Sequence, residues 1–144
     1  MSKTAEDVTR PGGITALSAF FLFGACMSFI SAVSLLFPGS LLEPMWRLNP
    51  RAHEAFAGIG TWAVVLMCAV SVACAAAALG LWRGARWGYR SAFILLAINL
   101  LGDLINVLTG TEPRALVGVP IVIALLLYLR SKRVRHFFGR RAAA

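Results

Sequence analysis

Residues 14–37 read ITALSAFFLFGACMSFISAVSLLF, 24 residues without one charged side chain. A bilayer's hydrocarbon core is about 30 Å thick and needs about 20 apolar residues of helix to cross it. The stretch therefore predicts a transmembrane helix and exceeds the shorter apolar core of a cleaved signal peptide. FGAC, at Phe23–Cys26, has the outline of a lipoprotein processing site, but the run stays apolar for eleven residues beyond Cys26. A retained helix fits better.

Composition extends that reading to the whole chain. Of 144 residues 59% are hydrophobic and 14% charged, with mean hydropathy +0.77. Soluble domains carry about 25% charge. The length holds one domain. Further spans are expected at about 55–82, 91–110 and 115–130. The last is short, and Arg114 and Arg130 can snorkel from its ends. Residues 1–13 read as a flexible lead, and 131–144 as a basic tail. PGSLLEPMWRLNPRAHE (38–54) reads as an ordered interfacial loop, RGARWGYR (83–90) as a tight basic turn, and GTEPR (110–114) as a turn ended by proline. The fold expected is all-α, an antiparallel four-helix transmembrane bundle.

Basic residues orient it. The lead, the 83–90 turn and the tail with Arg130 carry 2, 3 and 6 of them, against Arg47, Arg51 and Arg114 on the other side. The positive-inside rule places both termini in the cytoplasm. Dropping the fourth span would strand the tail charges outside.

Within the third span, NLLGDLINVLTG (99–110) holds a carboxylate. At 100° per residue, Asn99, Asp103, Asn106 and Gly110 fall within about 60° of arc. A charge at that depth costs at least about 2.5 kcal/mol, so the stripe should face the bundle interior or a wet cavity. It reads either as a binding or pore-lining surface, or as glue through interhelical hydrogen bonds.

His53 and Glu54 open the second span. With Asp103 they form a candidate catalytic set, acid, base and imidazole. They also fit plain helix capping, since an acid near a helix N-terminus suits the macrodipole. No metal site is expected, because HE lacks the second histidine of HExxH, and no cofactor is implied. Cys26, Cys68 and Cys74 read as small hydrophobes. Pairs such as Gly24 and Ser28, or Ala76 and Gly80, have the spacing that lets helices pack closely, within one chain or between copies. In the tail, Arg130, Lys132, Arg133 and Arg135 suit anionic lipid headgroups, a better fit than nucleic acid.

LEPMWRLNPRAHEAF, GLWRGARWGYR, INLLGDLINVL and PRALVGVPIVIALLLYL resemble a group of small bacterial four-span membrane proteins over about residues 14–138. The resemblance implies a bacterial inner-membrane location and brings no activity with it. Three functions remain open. One is a homo-oligomeric module that binds or transports a small solute, ion or proton along the stripe. Another is an intramembrane enzyme acting on a lipid-like substrate. The third is a non-catalytic assembly subunit.

Overall fold

The computed structural model of the chain describes residues 10–110 and 115–141, and these form helices and turns without a strand. Residues 1–9 of the expected lead (1–13), residues 111–114 of the expected turn (110–114) and the last three residues of the tail lie outside the described residues, while Gly12 and Gly13 of the lead already belong to the first helix. Six α-helices follow in order: α1 (Gly12–Leu36), α2 (Pro50–Ile59), α3 (Thr61–Trp82), α4 (Arg86–Leu108), α5 (Ala115–Arg130) and α6 (Lys132–Arg141). Of these α1, α3 and α4 are long and apolar enough to cross a membrane. At 16 residues α5 is shorter. It runs continuously through Pro120, which costs one carbonyl partner near the helix start.

Two expected boundaries move. The span over 55–82 is interrupted at Gly60, whose backbone (φ 58°, ψ −133°) a side chain would oppose. His53 and Glu54 therefore do not open the span. They sit inside α2, which starts where Asn49 Oδ1 accepts the Ala52 N–H at 3.1 Å and Pro50 takes the first turn. The 83–90 turn shrinks to three residues because α4 already begins at Arg86. Gly84 (φ 68°) closes α3, with Ala85 N–H on the Gly80 carbonyl and Gly84 N–H on that of Leu81. That pair of bonds is a Schellman motif, which satisfies carbonyls the helix end would orphan.

Small residues set the packing. α1 lies along α3, where Gly24 faces Cys74 and Ser71 Oγ donates to the Ala25 carbonyl at 2.8 Å. Next to the turn, Gly80 of α3 and Gly88 of α4 meet backbone to backbone, and a methyl group on either would overlap the other. α4 also packs against α5. The buried core gathers at this turn end of the molecule: Ile14 and Leu17 from α1, Leu81 from α3, Leu129 from α5 and Val134 from α6 are each at most 2% exposed. Arg10 joins the same end, its guanidinium 4.6 Å from the Trp82 ring centre and bonded to the Trp82 carbonyl. A cation there also complements the C-terminal end of α3.

Along the spans the lateral surfaces stay apolar and open. Only 22%, 22% and 11% of the most apolar windows of α1, α3 and α4 are buried within the chain. Such surfaces, carrying Phe23, Val72, Ile98 and Leu101, suit lipid.

The tail is the largest departure. It forms α6, whose Val134, Phe137 and Phe138, spaced i, i+3 and i+4, are buried against the chain. Tyr89 packs on Phe138 with ring centres 5.3 Å apart, and Arg86 reaches the Phe138 and Gly139 carbonyls at 3.4 and 3.3 Å. Phe137 and Phe138, in a tail whose basic composition suits an anionic leaflet, are docked on the chain instead.

Candidate functional site

The stripe sits in the half of α4 away from the turn. Taking 1.5 Å per residue, Asn99 lies about 20 Å from Arg86 and about 14 Å from Leu108, near the helix midpoint. Its Nδ2 donates to Asp103 Oδ2 at 3.1 Å, the one hydrogen bond the amide makes among the described residues. Asp103 leans on α5 at Gly118, where a methyl group would stand 2.8 Å from Oδ2. The missing side chain at Gly118 gives the carboxylate its room.

The stripe is only partly turned inward. Asp103 and Asn106 are half-buried, whereas Asn99 is exposed. The cause is the sparse packing of α4: no residue beyond Leu96 on this helix is buried. In hydrocarbon an exposed amide has no solvent to satisfy its remaining donor and acceptor.

A second polar group lies at the far end from the turn, between the end of α1 and α2. Trp46, in the short 3₁₀ helix Glu43–Leu48, is its anchor and is 8% exposed. Its indole N–H donates to Ser34 Oγ at 2.9 Å. One face stacks on His53, with ring centres 4.9 Å apart and planes 14° from parallel, and Phe56 meets it edge-on. Two clefts flank this anchor. One, of about 470 Å³, is lined by Glu43, Arg47, His53 and Glu54 among others, and the other, of about 450 Å³, by Ser34, Glu43, His53 and Phe56 among others. Glu54 and His53 thus share an open cleft with Glu43 and Arg47. Asp103 lines neither cleft, and its own neighbours are Asn99 and Gly118. General acid–base work needs groups within hydrogen-bond reach or one water apart. The clefts do not join Asp103 to His53.

At the turn end Arg130, which closes α5, and Lys132, Arg133 and Arg135 of α6 are all exposed. Three features had little signature in the sequence. Gly118 is a lone glycine in an apolar run. Trp46 read as an interfacial aromatic, with no hint that Ser34, twelve residues earlier, holds its N–H. Arg90 read as one charge of a turn, whereas it belongs to a helical face shared with Ile94, four residues on.

Comparisons with protein-family models, with curated proteins and with solved structures gave no match. The chain's own geometry therefore has to carry its function.

Proposed function

We propose that the chain is a four-span bacterial inner-membrane protein with both termini cytoplasmic, which self-associates along α4 and binds a small polar solute, ion or proton at Asn99, Asp103 and Asn106. The observation behind this is the exposed Asn99 amide near the middle of an apolar helix, hydrogen-bonded to a carboxylate. Lipid cannot satisfy such a group, and a second copy can. One chain of this size also has little room for a conduit of its own, so a path between copies is the economical arrangement. The charge asymmetry across the four spans supports the orientation.

The test uses purified protein in liposomes with a trapped pH dye, driving proton movement with a potassium gradient and an ionophore. Wild type should conduct, and Asp103→Asn should fall at least about tenfold, a change worth about 1.4 kcal/mol. Full flux in the variant contradicts the reading. The contact of Asp103 with Gly118 favours a second reading, in which the stripe holds α4 to α5 in an assembly subunit. In that case neither protein conducts and the variant loses detergent stability.

A further inference from the structure

The turn end of the molecule carries a cleft of about 360 Å³ lined by Tyr89, Arg90, Phe93 and Ile94 of α4, Arg130 at the end of α5 and Arg135 of α6. Three arginines from three helices thus border one groove with an apolar floor. Among the described residues the carboxylates are Glu43, Glu54 and Asp103, and none of them lines this groove. Three cationic residues on one groove, with none of these carboxylates beside them, leave the counter-charge to a ligand. Arginine's planar fork of donors matches phosphate oxygens, two bonds at a time.

Beyond the groove, α4 continues as an exposed apolar row. Ile94, Ile98, Leu101, Ile105 and Leu108 are 56%, 63%, 60%, 52% and 84% exposed. Their spacing of four, three, four and three residues keeps them on one helical face. The row is about 21 Å long at 1.5 Å per residue, comparable to an acyl chain. A soluble phosphate would have no use for it. We propose that this groove is a binding site for an anionic phospholipid, its phosphate held by Arg90, Arg130 and Arg135 and one acyl chain laid along the α4 row. A docked α6 is part of the site, since Arg135 reaches the groove from the helix that Phe137 and Phe138 hold in place. The proposal rests on the membrane-spanning reading but not on the role given to Asp103.

Native mass spectrometry of the full chain in detergent tests it, with phosphatidylglycerol, phosphatidylcholine and inorganic phosphate as probes. Phosphatidylglycerol should be retained over phosphatidylcholine, whose choline cation meets three guanidinium groups. With about fivefold expected per arginine, Arg90→Gln/Arg130→Gln/Arg135→Gln should weaken retention about a hundredfold. Lys132→Gln/Arg133→Gln, outside the groove, should change it less than threefold, and Asp103→Asn should leave it intact even if the α4 stripe has no role in flux. All the substituted cations are exposed, and the single Arg90→Gln gives a fivefold reading should the triple variant fold poorly. Equal loss per charge in the two multiple variants would overturn the site in favour of diffuse attraction. Equal retention of phosphatidylcholine, or displacement of the lipid by inorganic phosphate at matching concentration, would overturn it as well.

Discussion

Gly88→Ala is expected to lose at least about 3 kcal/mol of stability, the upper end of what overpacking costs. The methyl group would enter the backbone of Gly80, which has no rotamer with which to yield. Its only relief is to part α3 from α4 beside the Schellman turn, where the core is densest. Gly102→Ala is the control. That glycine is also within α4, but a methyl group there meets nothing within 4 Å. Alanine has the better helix propensity, so this variant should be neutral or more stable by up to about 1 kcal/mol. Unfolding in a graded mixture of mild and denaturing detergent, followed by helix content, reads both. Equal stability of the two variants would mean that α3 and α4 do not meet at Gly80 and Gly88.

Phe137→Ala/Phe138→Ala is expected to release α6 and leave the rest of the chain folded. Each ring removed from a packed site costs about 3–5 kcal/mol. The loss seen is capped at the docking free energy of the helix, because α6 can open locally before anything else unfolds. Cleavage by trypsin after Arg133 or Arg135 should accelerate at least about a hundredfold, equivalent to about 3 kcal/mol. Unchanged cleavage in detergent would mean that the two rings are not docked on the chain and would return the tail to the leaflet-facing role its composition suggests. The same variant should weaken phosphatidylglycerol retention, since it removes Arg135 from the groove.

How far the sequence could be read depends on the size of the signal at each place. Long uncharged runs such as 14–37 define helices with no help from tertiary structure, because length and hydropathy alone are decisive there. The interruption at Gly60 was legible only in part. Asn49 and Pro50 are ordinary start signals, yet the apolar character of 55–82 continues through the break and hides it. The docking of α6 was obscured differently: a basic helix with an apolar face suits a membrane surface or a protein surface equally well. Only contacts with Tyr89 and Arg86 separate the two. For the site, spacing put Asn99, Asp103 and Asn106 on one face, and the hydrogen bond between the first two follows from their i, i+4 relation. What spacing could not supply was the direction of that face. It is set by how sparsely the far half of α4 packs, a property of its neighbours.

The claim that most needs testing is that the exposed edge of the α4 stripe meets a second copy of the chain. Asn99→Cys in a background of Cys26→Ala, Cys68→Ala and Cys74→Ala, oxidised in native membranes, tests it directly. The expected result is a disulfide-linked dimer in good yield from position 99, with none from Ile94→Cys on the lipid-facing row of the same helix. A chain that stays monomeric with cysteine at 99, or that cross-links equally from both positions, would contradict self-association through the stripe.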